Sequence, residues 1–166
     1  GSGMGLIIAD TSATKFTVYE RKDAARHGLN AMQTWDFVEL EDGTLYLGSE
    51  NGIYRAELEA DEYHFHQVHT EGLSEPFVNC MHNDGDSILW IGNHREGLNE
   101  IALRTGTVYN YRSDEKNEMS IARNGIQTVF RDGNGLLWVG ASGNMHYTSQ
   151  QYNYNPLHPV PIALVA

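Results

Sequence analysis

The sequence predicts an all-β fold assembled from repeated four-stranded units, and three observations predict it. One phrase is written twice: residues 84–92 read DGDSILWIG and residues 132–140 read DGNGLLWVG, with a weaker copy, DGTLYLG, at 42–48. The flanks repeat in the same register, since Gly5, Gly52 and Gly97 stand 47 and 45 residues apart while Gly48, Gly92 and Gly140 stand 44 and 48 apart. The apolar runs are short and rich in Val, Ile, Phe, Tyr and Trp, and Gly, Asn and Asp fill the gaps between them. Self-similarity at a period of about 20–50 residues marks stacked repeat units.

Taken in order, Gly1 to Gly3 read as an expression remnant. Residues 4–33 form half a unit: two strands, MGLIIAD (4–10) and KFTVYE (15–20), then RKDAARHGLNAMQ (21–33), a connector of helical composition. Residues 34–76 form a whole unit with strands TWDFVEL (34–40), the first phrase, NGIYRAEL (51–58) and YHFHQVH (63–69). Residues 77–124 form the next, with FVNCMH (77–82), the second phrase, EGLNEIAL (96–103) and VYNYRS (108–113). Residues 125–155 form a last, degenerate unit from IQTVFR (126–131), the third phrase, a worn GNMHYT (143–148) and QYNYN (151–155). Residues 156–166 are a tail containing Pro156, Pro159 and Pro161 with no unit pattern. Four strands in about 45 residues is the pattern of a propeller blade. The expected architecture is therefore about three blades, each a four-stranded antiparallel meander, forming an open fragment of a larger β-propeller.

Each residue of the phrase has a structural task. Asp42-Gly43, Asp84-Gly85 and Asp132-Gly133 suit the tight hairpin between a blade's first two strands, where positive φ is needed. Leu and Trp alternate along the next strand, so a blade packed on both faces is apolar on both. Trp90 and Trp138, with Tyr46 in the weaker copy, are expected to fill the seams between blades, each Trp burying about 200 Å². Gly48, Gly92 and Gly140 let strands crowd, or take a bulge.

These residues resemble a specific group, the two-component regulator propeller repeats. The pattern is carried by Asp84 to Gly92, Gly97-Leu98-Asn99, Thr105-Gly106 and Val108 to Tyr111, then by Asp132 to Gly140, and by Asp42 to Gly48 with Gly52-Ile53-Tyr54. The resemblance covers roughly residues 4–150. Such repeats form the exported sensor regions of hybrid two-component histidine kinases, notably those controlling polysaccharide use in gut Bacteroidetes. It implies a periplasmic location within a membrane-anchored parent, a role in recognising a polysaccharide-derived ligand or in sensor dimerisation, and no catalysis by this chain. No phospho-acceptor His in a helical setting and no Gly-rich nucleotide loop occurs, and no cofactor is expected. A propeller-type lyase or glycosidase, or a purely structural interaction module, is the alternative.

Composition narrows the partners. Eleven basic against 22 acidic residues leave −11, which argues against nucleic acid and against contact with an anionic membrane surface. The single cysteine, Cys80, reads as a small buried hydrophobe. An EF-hand-like reading of the Asp-Gly turns fails because the position eleven after Asp84 is Arg95 and after Asp132 is Gly143. His64 and His66 share one face of their strand and form a weak metal alternative. In a meander the Asp-Gly turns lie at one end of the blade, and the loops after strand two and the blade crossings at the other. The second set varies between copies while the frame stays constant, and scaffold-borne loops are where recognition concentrates. Asn93, His94, Arg95 and Glu96 are therefore the candidate ligand contacts. The half blade leaves an open strand edge, which predicts self-association, as a dimer.

Overall fold

The computed structural model describes residues 5–165 apart from 10, 11, 13, 32, 86, 118, 143–151 and 156–157. It is a row of β-sheets with one short helix. β1 (Gly5–Ala9) and β2 (Phe16–Glu20) form an antiparallel ribbon, followed by α1 (Arg21–Arg26). The next sheet is the meander β3 (Thr34–Glu39), β4 (Leu45–Ser49), β5 (Gly52–Glu59) and β6 (Glu62–Val68). A second meander holds β7 (Val78–Asp84), β8 (Ile88–Asn93), β9 (Leu98–Ala102) and β10 (Thr107–Tyr111). The third contains β11 (Ile126–Arg131), β12 (Leu137–Ala141), β13 (Tyr152–Asn155) and β14 (His158–Val165). The first strands β3, β7 and β11 lie side by side, as the inner strands of successive blades do. The all-β, open-blade expectation holds.

Two local expectations change. Residues 156–166, read as a tail without unit pattern, contribute β14, which lies between β12 and β13 and runs parallel to β12. The chemistry is consistent: the pairing with β12 spans Ile162 to Val165, beyond Pro159 and Pro161, which have no N–H to donate to a ladder. The pairing of β13 with β14 shifts register between Asn153 and Asn155, in the region facing those prolines. The strand expected at 143–148 lies outside the described residues. The third Asp-Gly turn also differs, because positive φ falls on Gly135 (82°) rather than on Gly133, whereas Gly43 and Gly85 take it in the other two copies. Gly135 closes its turn as Gly43 does, its amide donating to the Asp132 carbonyl as that of Gly43 donates to the Leu40 carbonyl, both at 3.0 Å.

Packing explains the phrase. Three apolar clusters fill three seams. The first joins Leu6, Tyr19, Ala24 and Leu29 of the half blade and connector to Leu47, Tyr54, Ala56 and Phe65. The second joins Ile53 to Val78, Met81, Leu89, Ile91 and Ile101. The third joins Cys80, Trp90 and Leu98 to Ile121, Ile126, Val129, Leu137 and Val139. Along β8 the alternation is direct: Leu89 and Ile91 face the preceding blade, and Trp90 faces the following one. Trp90 is wholly buried against the next blade, and Tyr46 packs partly buried in the equivalent direction. Trp138 is only half-buried, since its outward side meets no further blade among the described residues. Cys80 is buried, and desolvation pushes its thiol up to about 12, so it is a packing residue.

The closing glycines do both tasks assigned to them. Each first strand carries a register shift, between Thr34 and Asp36, Val78 and Cys80, and Ile126 and Thr128, directly opposite Gly48, Gly92 and Gly140. A Cβ on Gly48 would lie 2.6 Å from Val78 Cγ1, and one on Gly92 would lie 2.6 Å from Ile126 Cγ2. The glycine of one blade is the socket for the first strand residue of the next.

Candidate functional site

The loops in which recognition was expected lie at the end of each blade where its first strand begins and its second ends. Of the four expected contacts there, Asn93 is buried and its side chain is fully engaged. Its Nδ2 donates to the Glu75 carbonyl (3.0 Å) and the Phe77 carbonyl (2.8 Å), and its Oδ1 accepts from Ser74 Oγ (2.9 Å) and from Asn99 Nδ2. Asn99, the last residue of Gly-Leu-Asn, is also buried and accepts Ser74 Oγ at 2.9 Å. The Glu96 carbonyl lies 3.2 Å from the same Oγ, so the three acceptors share the single Ser74 hydroxyl proton. This polar knot ties the 70–76 crossing to its blade, so Asn93 is a scaffold residue; a ligand would have to break the knot to use it. The reason is invisible in the loop itself: Ser74 and Asn99 come from two other segments.

The first blade builds the same joint from different residues. Ser49 donates to Asn51 Oδ1 and to the Gly52 carbonyl, both at 2.8 Å, and Tyr54 donates to Asn51 Oδ1 at 3.1 Å. Asn51 Nδ2 then reaches the Asn30 carbonyl of the connector at 3.1 Å.

The other three candidates lie on the surface. His94 and Arg95 are exposed; the Arg95 amide donates to a Glu75 carboxylate oxygen at 2.9 Å, leaving its guanidinium outward. Glu96 is half-buried and ion-paired to Arg112 at 2.6 Å.

Beside them is a feature that sequence reasoning missed. Trp35, Phe77 and His94 form a row of rings crossing from the first whole blade to the second. Trp35 and Phe77 are 5.7 Å apart between centroids at 37°, and Phe77 and His94 are 5.0 Å apart at 33°. Trp35 is 50% exposed, an unusual state for the largest side chain, because it is the extra residue of the β3 bulge and turns away from the core. The signal was present: Asn79 and Gln127 occupy the matching bulge positions, so the position is polar elsewhere and cannot be a core site. Aromatic faces can stack against an apolar ring face, and Arg95 and Glu75, near His94 and Phe77 in the chain, carry groups able to hydrogen-bond a polar rim.

The two metal readings also resolve. The turn carboxylates are occupied: Asp84 Oδ2 accepts Trp90 Nε1 and Arg131 Nε, and Asp132 accepts Trp138 Nε1 and the Asn134 and Leu136 amides. Neither belongs to a three-ligand group among the described residues. His64 and His66 do not share a group either. His64 falls with His27 and Glu62, and His66 with Glu57 and Glu59.

No family model matches the chain, and no curated protein matches it. Solved structures do. The extracellular domain of BT3049 from B. thetaiotaomicron, assigned as a hybrid two-component system, aligns with TM-score 0.54 and 19% identity over 64% of this chain and 15% of its own. The extracellular domain of BT4673 from the same organism aligns in two structures. One, assigned as a one-component system, gives TM-score 0.52 and 19% identity over 84% of this chain and 24% of its own. The other, assigned as a hybrid two-component system, gives 0.56 and 23% over 95% of this chain and 19% of its own. The fold is thus that of extracellular sensor domains, in agreement with the repeat resemblance, and the chain spans between 15% and 24% of each neighbour's length.

Proposed function

We propose that this chain is a non-catalytic set of blades from an extracytoplasmic sensor of a two-component signalling protein, and that its Trp35–Phe77–His94 row receives a polysaccharide-derived oligosaccharide. The carrying observation is that row of rings, Trp35 and His94 exposed and Phe77 half-buried between them, on the face where the loops vary between copies. Sugar rings present C–H faces that stack on aromatic rings, and their hydroxyls suit the Arg95 guanidinium and the Glu75 carboxylate. The periplasm is the compartment that fits, with the parent's kinase acting beyond a membrane segment. Among the described residues no helix is long and apolar enough to cross a membrane.

The test is isothermal titration of the chain against an oligosaccharide panel. Binding by the unaltered chain, weakened at least tenfold in both Trp35→Ala and Arg95→Ala, supports the reading. A flat panel, or binding that ignores both substitutions, overturns it.

A second reading, self-association, has its own observation. β1 pairs with β2 on one edge only among the described residues, and Ile7, Phe16 and Val18 of this ribbon are 63%, 60% and 52% exposed. Light scattering checks it: a dimer that becomes monomeric in Val18→Lys supports pairing through the ribbon, and a monomer at all concentrations removes it.

A further inference from the structure

We infer that His27, Glu62 and His64 form a binding site for a divalent transition-metal ion, best suited to Zn²⁺, which clamps the connector to β6. The site is remote in kind from the aromatic row and does not depend on the sensor reading. The outer face of the β5–β6 hairpin carries Arg55, Glu57 and Glu59 on one strand and Glu62, His64 and His66 on the other, with Glu57 opposite His64 and Arg55 opposite His66. The third ligand that strand periodicity could not supply comes from the connector, at the C-terminal end of α1. One ring nitrogen each of His27 and His64 and one Glu62 carboxylate oxygen lie within 4.8 Å of one another.

His27 is held there by its surroundings. Its carbonyl accepts the Phe65 amide at 2.7 Å, and Tyr19 meets its ring edge-on at 5.2 Å and 87°. The following residue, Gly28, packs so closely on β6 that a Cβ would lie 2.1 Å from the Phe65 carbonyl oxygen. The connector therefore cannot lift His27 away without losing its seat on β6. The His27 and His64 rings stand 5.1 Å apart at 57°. Moreover, His27 Nδ1 is buried with no hydrogen-bond partner among the described residues. A buried polar atom left so is destabilising, and a cation coordinated by that nitrogen would satisfy it. Glu62 is exposed, so an ion has an entry path.

The donor set selects the ion. Two imidazoles and a carboxylate, with a water in the fourth position, match the borderline preference of Zn²⁺ at bond lengths of about 2.0–2.2 Å. Ca²⁺ and Mg²⁺ demand oxygen ligands and are poorly served. The neighbouring group Glu57, Glu59 and His66 is the weaker competitor. Glu57 is already ion-paired to Arg55 and lies 3.4 Å from His66, so a cation there would have to displace a guanidinium.

The experiment uses the whole chain, stripped with chelator and titrated with ZnCl₂ by calorimetry and by thermal melting. One ion per chain is expected, with Tm raised by about 5 °C or more at a hundredfold excess over Kd. The gain is to be lost in His64→Ala and in Glu62→Gln, both outward-facing positions that leave the core alone, and kept in His66→Ala and Glu57→Gln. CaCl₂ should leave Tm unchanged. The inference is overturned by a wild-type Tm indifferent to zinc, or by a gain that survives His64→Ala, which would place any zinc on other histidines. His27→Ala disturbs a packed seam, so a Co²⁺ absorption band present in wild type and absent in His64→Ala supplies a readout that folding alone does not move.

Discussion

Asp84 Oδ2 accepts the indole N–H of Trp90 at 3.2 Å, and in the next blade Asp132 Oδ2 accepts that of Trp138 at 2.9 Å. The repeated Asp therefore serves the turn and also fixes the tryptophan six residues on, orienting the ring that enters the seam. Asp84 does more: its Oδ2 also takes Arg131 Nε at 2.6 Å, so it crosses to the following blade.

Asp84→Ala and Asp132→Ala should therefore differ in cost. Removing Asp84 strands an Arg131 that is only 18% exposed together with the Trp90 N–H, for a loss of about 2–3 kcal/mol, whereas Asp132→Ala should cost clearly less. Urea denaturation of the two variants decides it, and equal losses would mean that the bridge to Arg131 contributes nothing.

Tryptophan truncation should follow the seams. Trp90→Ala empties a fully buried position and is expected to cost about 3–5 kcal/mol, while half-buried Trp138→Ala should cost clearly less. Differential scanning calorimetry would register the difference as a larger drop in Tm for Trp90→Ala.

Glycines that look alike in sequence should not behave alike. Gly92→Ala drives a Cβ to 2.4 Å from Cys80 Sγ and 2.6 Å from Ile126 Cγ2, an overpacking expected to cost about 1–3 kcal/mol or more. Gly133→Ala meets nothing within 4 Å and no positive φ, so it should be within about 0.5 kcal/mol of wild type. Denaturant midpoints of the pair give the check.

Acid should weaken the seam at His82. Burial, opposed in part by Asp84, holds its imidazole below the ordinary value, and its neutral Nε2 accepts the Arg131 amide at 3.2 Å. With the folded value below the unfolded one near 6.5, the unfolded chain binds the proton more tightly. The stabilisation is thus fully present above about pH 6.5 and is lost as pH falls through the folded value. Unfolding midpoints between pH 7.5 and 5 should fall in wild type, and the slope should flatten in His82→Gln. An unchanged slope would remove His82 from the account.

Much of this molecule was legible in one dimension. Local chemistry wrote the strands: β11 occupies the residues 126–131 expected of it, the Asp-Gly turns join first and second strands, and alternation along β8 sends Leu89 and Trp90 to opposite seams. Side-chain period and turn preference act between near neighbours, so a sequence displays them openly. The site was another matter. Asn93, an expected contact at the end of β8, is consumed by Ser74 and Asn99, which lie 19 and 6 residues away. Trp35 lies in the first strand of its blade, and it is the bulge that turns it outward. His64 was paired in expectation with His66, its neighbour on the strand, but its ligand group is completed by His27, 37 residues earlier. The sequence by itself determined how many blades there are, where they turn and which faces are apolar. Which polar side chains meet was decided only by the stacking of blade on blade, because hydrogen bonds and metal ligands form across distances that chain periodicity does not encode.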